Sequence, residues 1–122
     1  MLRGVLIGES LRAGADVSEV PLLVTRLRRI AVGSAAPDQP GHWTLLDFEA
    51  PEDDAEPLAE ALASALAPTG GWYVNFNTAG EAYVVFAGRI CRYPRGNAAG
   101  RARAQAYGRL AGVPEPQLDW ED

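Results

Sequence analysis

The sequence predicts an α+β fold in which one antiparallel sheet carries two helices. Three observations lead there. Two segments show an apolar stripe at helical spacing without a competing strand pattern, whereas strand-like stretches with β-branched or alternating residues recur along the chain. From residue 43 onward the elements read β-α-β-β-α with a last β left open, the order of the ferredoxin-like split β-α-β arrangement. Ahead of that core, two strand-like stretches read as an N-terminal β-hairpin. A length of 122 residues fits one domain, and a chain of this size buries roughly two-thirds of its unfolded surface. The expected organisation is a single domain, 1–122, with a hairpin over 1–32, a loop over 33–41 and the core over 43–122.

Leu2 to Ile7 reads as the first strand, followed by a turn region punctuated by Gly14 and Asp16. Leu22 to Val32 fits a helix through Leu23, Leu27 and Ile30, or a strand through its alternation. Pro21 and the β-branched Val24, Thr25, Ile30 and Val32 favour the strand. Gly33 to Gly41 holds two prolines and two glycines without an apolar period, and is the expected loop. Trp43 to Phe48 alternates as a strand.

The clearest helix spans about Asp54 to Leu66, with Leu58, Leu62 and Leu66 spaced four apart and Ala61 and Ala65 beside them. Acids crowd its first turn, where the helix dipole favours them. Trp72 to Asn77 and Ala82 to Ala87 read as paired strands, the second apolar on both faces and so expected near the centre of the sheet. Arg89 to Tyr93 either continues that strand past a bulge or folds back as a third. Asn97 is the expected N-cap of a second helix ending near Ala111, with Ala99, Ala102, Ala106 and Leu110 on its buried face. Gly112 and Pro114 stop it.

All eleven basic residues are arginine and the net charge is −5. The arginine bias matches the heavy alanine usage of a GC-rich genome. Charge is segregated along the chain. Glu52, Asp53, Asp54, Glu56 and Glu60 stand without a nearby cation, whereas Arg89, Arg92, Arg95, Arg101, Arg103 and Arg109 stand without an acid. Overall acidity argues against nucleic acid as the main partner. Cys91 is the only cysteine, so no intrachain disulfide forms. The apolar run Val5-Leu6-Ile7 is too short for a signal-peptide core or a membrane span, which points to the cytoplasm.

No catalytic residue, metal set or cofactor motif emerges. His42 is the single histidine. Cys91 is flanked by Arg89 and Arg92, which lower a thiol pKa when they reach it, but a free cysteine on a strand is most often a small buried hydrophobe. Glu52-Asp53-Asp54 lacks the ligand spacing of a calcium loop. The most suggestive stretch is Arg89 to Arg103, where a Pro-Arg-Gly loop leads into a helix N-terminus that favours anions. Arg92, Tyr93, Arg95, Asn97 and Arg101 are the anion- or ligand-binding candidates there. The competing reading is a solvated turn whose arginines pair with the chain's own acids. Tyr73, Asn75 and Asn77 share one strand face and are the pocket candidates.

Trp72-Tyr73 with Phe76, Val84 to Arg89, Tyr93 to Asn97, Gly112 to Glu115 and Gln117 to Trp120 together resemble a group of small actinomycete proteins. Asn75 stands where that pattern has an acid, and Cys91 where it has an aromatic. The resemblance covers most of the chain, strongest from Trp43, and implies a bacterial cytosolic origin; it carries no function with it.

The sequence therefore leads to the expectation of a non-catalytic binding protein recognising a protein partner, regulatory or toxin-neutralising, with a homodimer left open. The alternatives are a small-molecule binder or modest enzyme holding an anion at Arg92, Arg95 and Arg101, and a weak nucleic-acid binder.

Overall fold

The computed structural model describes residues 1–122. Its strands are β1 (Leu2–Ile7), β2 (Leu23–Ala31), β3 (His42–Ala50), β4 (Val74–Asn77), β5 (Glu81–Phe86) and β6 (Arg89–Pro94); its helices are α1 (Ala55–Ala65) and α2 (Ala98–Leu110). The strands form one antiparallel sheet in the order β2-β3-β1-β4-β5-β6. No helix is long and apolar enough to cross a membrane.

The sheet with two helices is the expected one, but the N-terminal hairpin is not formed. β1 lies between β3 and β4, with Gly4 opposite Phe48 on one side and Phe76 on the other. The hairpin is β2–β3 instead, closed by the loop over 33–41 and bulged between Val24 and Arg26. The reason is local composition. β1 is apolar on both faces, through Leu2 and Leu6 on one and Val5 and Ile7 on the other, and suits a central position. β2 carries Arg26, Arg28 and Arg29 and suits an edge. Residues 8–22 do not turn back; Leu11 bridges to Leu66 and the Arg12 N–H donates to the Ala65 carbonyl, 2.9 Å away, tying this stretch to the end of α1.

With β1 antiparallel to both neighbours, β3 and β4 run parallel to each other and α1 connects them. This is a split β-α-β unit whose inserted strand comes from the N-terminus. Arg89 to Tyr93 folds back as the third strand β6, through a turn at Gly88 with φ 71°. The last strand left open at Leu118 and Trp120 is not formed. A 3-10 turn at Glu115–Gln117 follows α2, and the tail lies across the sheet with both side chains buried.

The two faces carry separate cores. On one, Leu58 and Leu62 of α1 pack over Leu2, Leu6, Phe48, Val74, Phe76 and Val85. On the other, α2 and the tail cover Ala82, Val84, Phe86 and Tyr93. Each fully buried Leu, Phe or Val contributes about 1.5–3 kcal/mol. α2 buries Gly100, Ala104 and Gly108, not the expected Ala99, Ala102, Ala106 and Leu110; Leu110 is 86% exposed. Close approach explains the change. A Cβ at Gly108 would lie 2.7 Å from Leu118 Cδ2, and one at Gly100 would run into the Tyr93 ring.

Candidate functional site

The arginines expected to surround an anion are placed apart. Register sets Arg92 opposite Tyr83 on the α1 face, where it pairs with Glu81 and Glu56 and lies 5.2 Å over the Tyr83 ring. Arg92 holds the Glu81 carboxyl below its ordinary range. Burial and the hydrogen bond to Glu56 push the Tyr83 hydroxyl up to about 12. Arg101 lies on the opposite face, 5.2 Å over the Trp120 ring and 3.3 Å from Asp122. Arg95 donates to the Thr78 carbonyl at 3.2 Å. Asn97 caps α2, its Oδ1 accepting from the Gly100 N–H at 2.8 Å. Tyr93 is buried and its hydroxyl accepts from Trp120 Nε1 at 2.7 Å. The sheet itself separates Arg92 from Arg101, and the chain's own carboxylates occupy both.

His42 is exposed at the start of β3. Cys91 is half-buried, and burial pushes its thiol up against the opposing pull of Arg89.

Tyr73, Asn75 and Asn77 share the α2-side face, as expected. Asn77 anchors the tail by donating to the Glu121 carbonyl at 3.0 Å. Tyr73 and Asn75 line a cleft of about 350 Å³. Its floor is the half of the sheet that α2 leaves uncovered: Val5 and Ile7 of β1, Leu45 of β3 and Ile30 of β2. Trp43 and Trp72 meet edge-on at 5.2 Å at one end. The tail, through Pro116, Gln117 and Asp119, forms the opposite wall.

That wall is firmly tied. Gln117 Nε2 donates to the Ser34 carbonyl and to Gln39 Oε1, both at 2.8 Å. Gln39 in turn donates to the Gly70 carbonyl at 2.6 Å. The Tyr73 hydroxyl donates to the Gln117 carbonyl, and Gln105 to the Leu118 carbonyl at 3.1 Å.

Beyond Val5, Asn75 and Asp119 the cleft continues into a wider, charged trough. There Arg3 pairs with Glu49 at 2.8 Å and Arg28 with Asp47 at 3.3 Å, so these four charges cancel. Asp119 and Glu121 also line the trough, and neither enters any of the chain's ion pairs.

β2 borders the cleft and is the edge of the sheet. Leu23, Val24 and Leu27 on it are 59%, 46% and 67% exposed. Register places Val24 and Leu27 beside Phe48 and Leu46, on the α1 face but past the end of the core. Reasoning from sequence found Tyr73 and Asn75 but missed Val5, Ile7, Ile30, Leu45 and Asp119. The available signal was that Val5 and Ile7 of β1 and Trp43 and Leu45 of β3 add a second apolar face while the chain has only two helices. Set against known proteins, the chain matches no family model, no curated protein and no solved structure.

Proposed function

We propose that the chain is a binding domain that recognises a protein partner, and that β2 is where it does so. One observation carries this reading. A nine-residue edge strand exposes three large apolar side chains, Leu23, Val24 and Leu27, beside an uncovered sheet face. An unpaired edge of this length is a template for an added strand, with main-chain hydrogen bonds giving affinity and alternate side chains giving specificity.

Charge sets the kind of segment that fits. Arg26, Arg28 and Arg29 line β2, and Arg26 takes part in no ion pair. An extended segment alternating apolar and acidic residues meets both features. Self-pairing would oppose the same arginines across the new interface, which is destabilising.

The test is affinity capture from a lysate of the source organism with three baits: the native chain, Val24→Lys/Leu27→Lys, and Leu110→Lys as a control on the far side of α2. A protein held by the first and third baits and lost by the second supports the reading. Equal capture by all three, or no capture by any, refutes it. A stable dimer in size-exclusion chromatography of the native chain, lost on Val24→Lys/Leu27→Lys, would replace the partner with a second copy.

A further inference from the structure

We infer that the cleft between the open half-sheet and the C-terminal tail is a site for a small amine with an apolar body. The inference needs only the cleft and stands apart from the reading of β2.

Shape and lining come first. A volume of about 350 Å³ falls in the range of sites for small organic molecules, roughly 300–1,000 Å³, which are mostly apolar with a few placed polar groups. Here the floor is aliphatic and the closed end is the Trp43–Trp72 pair. An alkyl or aryl body resting on Val5, Ile7, Ile30 and Leu45 would take those side chains out of water. Such burial is worth about 25 cal/mol per Å².

Charge then selects the head group. Of the residues lining the apolar cleft, Asp119 alone is charged. At the trough, two ion pairs cancel four of the charges, which leaves Asp119 and Glu121 as the uncompensated pair. A ligand seated on the floor therefore finds the unpaired carboxylates of Asp119 and Glu121 at its open end, with Arg3 and Arg28 held by Glu49 and Asp47. A carboxylate or phosphate there would be repelled, and a neutral hydroxyl would gain a hydrogen bond from Asp119 without the attraction of opposite charges. An ammonium gains a charge-assisted hydrogen bond.

The site is also preformed. The wall that carries Asp119 is held on either side, by Gln117 through Gln39 and Ser34 and by Asn77 through Glu121. Binding then does not have to order the tail first.

The experiment titrates the native chain with hexylamine, phenethylamine and tryptamine, each beside the matching alcohol and carboxylate. It follows the indole N–H signals of Trp43 and Trp72 and the floor methyls by NMR. Saturable shifts at the floor for the amines, weaker for the alcohols and absent for the carboxylates, are expected. Asp119→Asn, at an exposed position outside the core, should weaken the amines by about 1.5- to fivefold, as loss of an exposed ion pair does, and change the alcohols less. Ile30→Trp fills the cleft from the edge strand and should abolish all shifts, with folding checked by the remaining spectrum. The inference is overturned if no amine exceeds its alcohol, if Asp119→Asn leaves the preference intact, or if the peptide acetyl-Gly-Lys-Gly-amide binds more tightly than the free amines.

Discussion

Gly4→Ala tests the packing that places the cleft floor. Gly4 is the only residue of β1 flanked by phenylalanine on both neighbouring strands. A Cβ there would lie 2.7 Å from the Asn75 carbonyl oxygen, from Phe76 Cβ and from Phe48 Cζ. Two of those atoms belong to the backbone or its first carbon and cannot swing aside, and the Phe48 ring is 2% exposed. Two effects oppose each other. Alanine in place of glycine removes unfolded-state freedom, worth about 0.4–1 kcal/mol in favour of the fold. Overpacking a filled core costs about 1–3 kcal/mol. With contacts this short the second wins, and the net loss is about 0.5–2 kcal/mol. At about 2.1 cal/mol/K per residue over 122 residues, melting entropy is about 0.26 kcal/mol/K, so the melting temperature falls by about 2–8 °C. Gly80→Ala is the counterpart. It has nothing within 4 Å and no positive φ, so only the entropic gain operates and its melting temperature should rise by about 2–4 °C. Circular dichroism melts and urea titrations of the three proteins decide the matter. Gly4→Ala melting at or above the native chain would refute the close contact of β1 with Phe48 and Phe76.

Two further outcomes follow from the hydrogen-bond network. Gln117→Leu removes the amide donor from the Ser34 carbonyl and from Gln39 Oε1, which keeps the Ala36 N–H as a partner, and loss of the two bonds should cost about 1–3 kcal/mol in urea unfolding; an unchanged midpoint would mean the amide pair does not hold the tail. Glu9 sits against β3, and burial alone would raise its pKa. The Thr44 N–H at 2.6 Å, the Thr44 hydroxyl and Arg29 outweigh that and hold it below the ordinary value of 4.5. A carboxyl lowered in the folded state favours folding at pH above 4.5 and loses that contribution as pH falls through the folded value. The native chain should therefore lose stability more steeply than Glu9→Gln as pH falls below 4.5. Equal slopes in urea midpoints across that window would show that Thr44 and Arg29 do not favour the charged form.

Local features were legible from the residues themselves. β-branched residues located β2, alternation β3 and β4, and a run apolar on both faces β5; Asn97 marked the start of α2, and Tyr73 with Asn75 were assigned to one face that proves to line the cleft. What escaped was non-local. Nothing within Leu2–Ile7 names its partners, because pairing is decided by strands some forty and seventy residues away. The arginines read as unopposed because Glu81 and Glu56, 11 and 36 residues from Arg92, are brought to it only by the sheet and α1. In α2, counting apolar residues favoured alanine and leucine. The deciding quantity was room, and Tyr93 and Leu118 left room only for glycine.

The width of the sheet explains why an open surface exists at all. Six strands at about 4.8 Å spacing span about 24 Å from first to last, whereas a helix is about 10 Å across. One helix therefore covers two or three strands. On the α1 side, residues 8–22 supplement the helix through Leu11, Val17 and Val20, and the shortfall appears only at the β2 edge, as exposed Val24 and Leu27. On the other side α2 and the tail meet β4, β5 and β6, and the chain has no third helix to lay over β1, β3 and β2. One half of that face is nevertheless apolar, through Val5, Ile7, Leu45 and Ile30, beside the charged half formed by Arg3, Arg28, Asp47 and Glu49. A solvated face would be expected to carry polar residues at Val5, Ile7, Leu45 and Ile30, by the alternation that one-sided antiparallel sheets follow. Apolar side chains there fit a face that is covered in use. The amine proposed for the cleft would cover it, resting its apolar body on the floor and its charge beside Asp119.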